Sequence, residues 1–132
     1  MDLDKLEGVS ITVDCDVLQG DGGTRTASVT GGFVALVLAF RKLIEKGTIQ
    51  EMPVSTFVSG ISAGVVGGVP MLDLQYSEDS KADVDLNCIM DGGGNIIELQ
   101  GTGEGRPFTL DETQKLLELC RKGNELLQAK QK

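Results

Sequence analysis

Residues 14–32 read DCDVLQGDGGTRTASVTGG and carry the chain from an extended segment, through a glycine loop, into a helix. Upstream, Ile11, Val13, Cys15 and Val17 alternate with Ser10, Thr12, Asp14 and Asp16, a period-two pattern that predicts a half-buried strand over residues 9–18. Downstream, Phe33, Leu36, Val37, Phe40, Leu43 and Ile44 recur at helical spacing. They predict a helix that starts near Thr26 and stops at Gly47, with Arg41, Lys42 and Lys46 where the dipole favours cations. Between the two lie Gly20, Gly22, Gly23 and Arg25. Glycines let backbone N–H groups approach a ligand, a helix start leaves orphan donors, and an arginine there adds a planar charged fork suited to phosphate. That is the layout of an anion site. The same residues also suit a tight turn with a surface arginine, because the loop lacks the third glycine of a dinucleotide fingerprint and the Gly-Lys-Ser/Thr ending of a P-loop.

Beyond the helix, Pro53 marks a connection, and residues 57–66 and 69–76 are β-rich runs joined by Gly67-Gly68, a pair favoured in tight hairpins. The first run, FVSGISAGVV, is rich in small residues and is expected to pack closely beneath a helix. A second hairpin is expected from residues 84–90, the turn Asp91-Gly92-Gly93-Gly94, and residues 95–100. In it Val84, Leu86, Cys88 and Met90 share one face, while Asp85 and Asn87 point the other way. Thr109-x-x-Glu112 is a capping-box signature for a last helix over residues 110–128, with Leu116, Leu119, Cys120, Leu126 and Leu127 facing inward. Gly123 is expected to weaken its last turns, and the AKQK tail to fray. Two hairpins and two long helices predict an α+β domain spanning residues 1–132.

Composition narrows the function. With 132 residues the chain is long enough for one core, burying about two-thirds of its extended-chain surface. Three widely spaced cysteines, Cys15, Cys88 and Cys120, read as buried, reduced thiols. No apolar run is expected to reach membrane-spanning length, and the acidic N-terminus is unlike a signal peptide, so a cytoplasmic location is expected. A net charge of −8, with four Phe, one Tyr and no Trp, argues against this chain alone gripping a nucleic-acid backbone. The absence of histidine removes Ser-His and Cys-His chemistry. What remains is carboxylates, Arg, Lys, hydroxyls and backbone, with or without a metal.

Carboxylates are concentrated in one place: Asp73, Glu78, Asp79, Asp83 and Asp85. Such a cluster is either a solvated loop or a site. Asp79 folded back beside Asp85 gives two oxygens able to hold a Mg²⁺ with its waters, or a general acid. A phosphate cradle and a carboxylate pair on one domain point to phosphoryl-transfer chemistry.

The segments Asp14-Cys15-Asp16-Val17-Leu18-Gln19, Asp21-Gly22-Gly23-Thr24-Arg25-Thr26-Ala27-Ser28, Asp73-Leu74-Gln75-Tyr76-Ser77-Glu78-Asp79-Ser80 and Glu98-Leu99-Gln100-Gly101-Thr102, with Asp83 and Asp85, closely resemble bacterial ribonuclease PH. The resemblance implies a ribosomal protein S5 domain 2-like fold and phosphorolysis, in which inorganic phosphate attacks the 3′-terminal phosphodiester of a transfer RNA precursor and releases a nucleoside diphosphate. It also implies that Gly23, Thr24 and Arg25 bind the phosphate, and that Asp79 and Asp85 serve catalysis and Mg²⁺ without dividing those roles. Only the second half of the family is resembled. The first half, with a further phosphate-contacting arginine and most of the RNA-binding surface, is expected to be needed in cis or in trans, so the chain alone is expected to be inactive or nearly so. Assembly into the family's hexameric ring is implied, and a non-catalytic assembly module is the alternative.

Overall fold

The computed structural model describes residues 1–132. A short 3₁₀ turn, Leu3–Leu6, precedes the helix α1, Thr24–Glu45. Strands β1, Val58–Val66, and β2, Val69–Leu72, are followed by a single helical turn, α2, Tyr76–Asp79. Strands β3, Val84–Asp91, and β4, Ile96–Gly103, lead into α3, Leu110–Gln131. The four strands form one antiparallel sheet in the order β2-β1-β3-β4. Gly67 and Gly68, both at positive φ, turn β1 into β2 as the glycine pair predicts.

The sheet separates two layers. Ile61, Ala63 and Val65 of β1 and Val84, Leu86, Cys88 and Met90 of β3 point to one face, where Leu116 and Cys120 of α3 complete the buried core. Thr109 caps α3 with a reciprocal bond to Glu112, as its sequence signature requires. The inward stripe of α3 runs through Leu116, Cys120, Gly123, Asn124 and Gln128, whereas Leu126 is 69% exposed, against expectation. Polar side chains hold those inward places because they are paired. Ser59 donates to Asn124 (2.6 Å), Asn124 donates to the Cys120 and Cys88 carbonyls (3.0 and 3.4 Å), and Gln128 donates to Ser59 (3.1 Å). α3 runs unbroken through Gly123, where a Cβ would fall 2.5 Å from Ile61 Cδ1, so the glycine admits the sheet. The helix continues into the tail as far as Gln131, whose side chain donates to the Thr30 and Val58 carbonyls.

The other face of β1 carries Gly60, Ser62 and Gly64, and α1 lies on it. A Cβ at Gly60 would meet the Thr26 backbone at 3.3 Å, so the small residues do allow the close helix approach expected of them. Thr30 Oγ1 accepts from the Gly60 N–H (2.9 Å) and donates to its carbonyl (3.1 Å), fixing the helix on the strand. Of the α1 stripe only Phe40 is fully buried, while Phe33, Leu36, Val37, Leu43 and Ile44 are half-buried.

Three expectations fail around α1. Residues 9–18 form no regular element and pair with no strand, and Val13 and Val17 are about half exposed while Leu18 is 99% exposed. Alternation specifies an extended two-faced segment; a strand also needs a ladder partner, and the sheet in this chain ends at β2 and β4. Cys15 on that segment is consequently exposed, while Cys88 and Cys120 are buried. α1 is also long and apolar enough to cross a membrane by length and composition, contrary to expectation, because its Gly, Ser and Thr residues do not interrupt the apolar stretch. In this fold that helix rests on the sheet. The run over residues 69–76 also ends early as a strand: Asp73 at φ 56° breaks β2, and Tyr76 opens α2.

Candidate phosphate and carboxylate site

Gly23 caps α1 at φ 73°, a left-handed conformation that glycine adopts without strain, and no side chain caps the helix start. The helix therefore begins at Thr24, two residues earlier than the sequence pattern predicts, with its first N–H groups left without a side-chain cap. Arg25 stands in this first turn, half exposed, with its Nη2 on Glu98 Oε1 of β4 at 2.6 Å.

Directly beneath lies the polar floor of the sheet. Gly60, Ser62 and Gly64 pair with Ile89, Asn87 and Asp85 of β3, which pair in turn with Glu98, Gln100 and Thr102 of β4. These residues share the α1 face by strand alternation. The Ser62 hydroxyl is buried and has no hydrogen-bond partner, and it lies 3.1 Å from where a Cβ on Gly23 would project. An unpaired buried hydroxyl under an uncapped helix start is a polar group in want of a partner.

The glycine loop and the acidic segment are locked to each other. The Asp21 carboxylate accepts from the Gly22 N–H at 2.9 Å and from the Tyr76 N–H at the start of α2. These two bonds, Tyr76 foremost, hold the Asp21 carboxyl below the usual carboxylate range. Gly22 packs on the Leu74 backbone, where a Cβ would fall 2.8 Å from the carbonyl carbon. The buried Leu74 side chain in turn covers Gly64, the strand partner of Asp85. Loop, α2 and the Asp85 position are thus stacked through Gly22, Leu74 and Gly64.

Asp79 ends α2 and is half-buried, as is Asp85. Burial above all, then the nearby Asp79 carboxylate and then Glu104, push the Asp85 carboxyl above the usual range, against the Leu86 N–H and the Asn87 side chain. Asn87 donates to Asp85 Oδ2 at 3.3 Å. Neither aspartate is in an ion pair, whereas Asp83 faces Arg106 at 4.0 Å. The carboxylate pair is a spot of uncompensated negative charge. No three His, Cys, Asp or Glu side chains converge on one point, so a cation here would take at most two protein carboxylates and keep most of its waters. Mg²⁺ tolerates that coordination, and the donor set fits it.

The structure places Gly23, Thr24 and Arg25 at one helix start, and Asp79 and Asp85 within Coulombic reach of each other on the adjoining part of the same face. Sequence reasoning assigned nothing to Ser62, Asp21 or Glu98. A signal existed for the first: Gly60, Ser62 and Gly64 are small residues at every second position of a strand, which marks a face approached by backbone. Two grooves, of about 520 and 590 Å³, flank α1 on the side of residues 13–19, and neither contains Asp79 or Asp85.

Comparison with known proteins puts this chain in a family. Residues 56–123 match the model of the 3′ exoribonuclease family, domain 2. Ribonuclease PH of Neisseria gonorrhoeae (strain NCCP11945) is 54% identical over 132 residues, covering 99% of this chain and 54% of the relative, so the chain spans about half the length of the curated relatives it matches. An archaeal exosome core chain superposes with a TM-score of 0.65 at 22% identity, covering 86% of this chain and 47% of that one. A chain of the Archaeoglobus fulgidus exosome, solved with RNA bound to the active site, gives 0.54 at 23% identity, covering 67% of this chain and 36% of its own. These structural likenesses carry the fold, which is the ribosomal protein S5 domain 2-like α+β arrangement expected. With domain 2 matched by the family model and ribonuclease PH relatives aligned along its whole length, the chain belongs to the 3′ exoribonuclease family and corresponds to the C-terminal half of its bacterial ribonuclease PH members.

Proposed function

We propose that this chain supplies one side of a phosphorolytic site acting on RNA 3′ ends, transfer RNA precursors among them. The observation that carries the reading is the uncapped start of α1, with Arg25 on it and the unpaired Ser62 hydroxyl beneath, stacked through Leu74 on the segment that bears Asp79 and Asp85. Phosphate sits against the Gly23 and Thr24 backbone and the Arg25 guanidinium, which orient one oxygen toward the terminal phosphodiester. That oxygen bonds to phosphorus, the bond to the preceding 3′ oxygen breaks, and the last nucleotide leaves as a diphosphate. The departing 3′ oxygen takes a proton, and the raised affinity of Asp85 for its proton suits that donor role. In the alternative division of roles, Asp79 and an ionised Asp85 would hold Mg²⁺, which would neutralise charge building on the phosphoryl oxygens, and the proton would come from solvent.

Turnover requires more than this chain. The chain has a net charge of −8 and Arg25 is the one cation at the helix start, so the cationic surface for RNA and the opposite side of the phosphate site come from the segment that precedes domain 2 in the relatives. A ring of copies in the cytoplasm is the setting proposed for the complete enzyme. The second reading, a non-catalytic assembly module, is favoured by the uncovered apolar side chains of Val13, Val17, Leu18, Val34 and Leu38. The two readings separate when the chain is incubated with 3′-extended RNA, phosphate and Mg²⁺, with and without the preceding half of the Neisseria gonorrhoeae relative. Nucleoside diphosphates appearing only with both halves, and lost in R25Q and D85N, support catalysis. A stable complex of the halves that releases none supports the assembly module.

A further inference from the structure

We infer that the Glu98 carboxylate is an internal stand-in for phosphate, occupying the Arg25 guanidinium until the anion displaces it. The inference rests on the reading of Arg25 as a phosphate ligand. Four observations lead to it. Glu98 is on β4, far from Arg25 in sequence, yet strand alternation and the register with Ile89 and Gly60 bring it under the first turn of α1. Its carboxylate makes a single contact, Oε1 to Arg25 Nη2 at 2.6 Å, and Arg25 makes no other, so the guanidinium keeps free donors and the carboxylate is tied to nothing else. A cation in the first turn opposes the helix dipole, and α1 has no acidic side chain in that turn, so Glu98 is the anion that the helix start otherwise lacks. Both side chains are about half exposed, which leaves the pair weak enough to exchange for a dianion in the same position.

Glu98 is therefore a specificity-setting residue acting through Arg25. Any anion must outcompete a carboxylate for the fork, which filters out weakly charged competitors. A purely structural role, in which Glu98 merely steadies Arg25, predicts the opposite sign on mutation. Glu98→Gln keeps an acceptor oxygen for Arg25 and removes only the charge, so it separates the two roles.

The test is titration of the 132-residue chain with inorganic phosphate at fixed ionic strength, followed by amide shifts of Gly23 and Thr24 and by the Arg25 side-chain Nε–H signal. Wild type, E98Q and R25Q are compared, with sulfate as a second probe. Phosphate binding should be weak in wild type, tighter by about two- to fivefold in E98Q, the span set by an exposed ion pair, and lost in R25Q. In wild type the Arg25 signal should move away from its carboxylate-paired position as phosphate is added, whereas in E98Q it should already lie away from that position before phosphate is added. Arg25-dependent binding that E98Q leaves unchanged or weakens would overturn the inference while leaving the phosphate reading intact. Phosphate shifts that are absent, or that R25Q leaves unaltered, would overturn the phosphate reading itself.

Discussion

Replacing Gly22 with alanine tests whether the glycine loop and the acidic segment are one unit. A Cβ at residue 22 falls 2.8 Å from the Leu74 carbonyl carbon, nearer still to its oxygen, and 3.1 Å from the Gln75 carbonyl carbon. All are backbone atoms at the entrance to α2, so no side chain can swing aside. The loop has to withdraw, taking the Asp21 carboxylate off the Tyr76 N–H. Overpacking of this kind costs about 1–3 kcal/mol. For a domain of this size that lowers Tm by roughly 3–12 °C. Gly20 is the internal control: nothing lies within 4 Å of its added Cβ, and its φ is not positive. There an alanine is neutral, or stabilises by up to about 1 kcal/mol through the unfolded chain. Thermal unfolding followed by far-UV circular dichroism should place G22A well below wild type and G20A at or above it, and phosphate affinity should fall only in G22A. Equal melting of the two variants would refute the contact between residues 22 and 74, and with it the coupling of loop to carboxylates.

The remaining predictions concern burial and charge. Because the Asp85 carboxyl sits above its ordinary value in the fold, ionising it costs the folded state more than the unfolded one, and that penalty is present above the raised value. D85N should therefore stabilise the chain at pH 7, with the advantage fading as pH falls through the raised value and gone below about 4, as urea unfolding at several pH values would register. Asn124→Ala removes the acceptor of the Ser59 hydroxyl and the donor to two buried carbonyls, and should cost about 2–3 kcal/mol in the same assay. A thiol reagent should modify one cysteine, Cys15, in the native chain and all three in denaturant; two or more reacting natively would contradict the buried places of Cys88 and Cys120.

Local rules made much of the fold readable. The turn at Gly67-Gly68, the capping box at Thr109 and Glu112, and the alternation that sends Asp85 away from Leu86 and Cys88 each depend on near neighbours in sequence. What alternation could not say is whether residues 9–18 would find a partner, because pairing is a property of the rest of the sheet and not of the segment. The interior of α3 misled for a similar reason. Leu126 lies off the stripe set by Leu116 and Cys120, and Asn124 and Gln128 are buried because Ser59 and backbone carbonyls meet them. At the candidate site, residue types pointed to the glycine loop with Arg25 and to the acidic cluster, and the resemblance to ribonuclease PH singled out Gly23, Thr24, Arg25, Asp79 and Asp85. The Arg25 to Glu98 pair and the Gly22 to Leu74 contact join segments far apart in the chain, and only the folded sheet brings them together.

Phosphorolysis differs from hydrolysis in the product it leaves, so the identity of the released nucleotide decides between them. With the complementary half supplied, RNA carrying an extended 3′ end is incubated with isotopically labelled inorganic phosphate. Label should appear in the terminal phosphate of released nucleoside diphosphates and be abolished by R25Q. Release of unlabelled nucleoside monophosphates, or labelled diphosphates that persist in R25Q, would contradict phosphorolysis with phosphate held by Arg25.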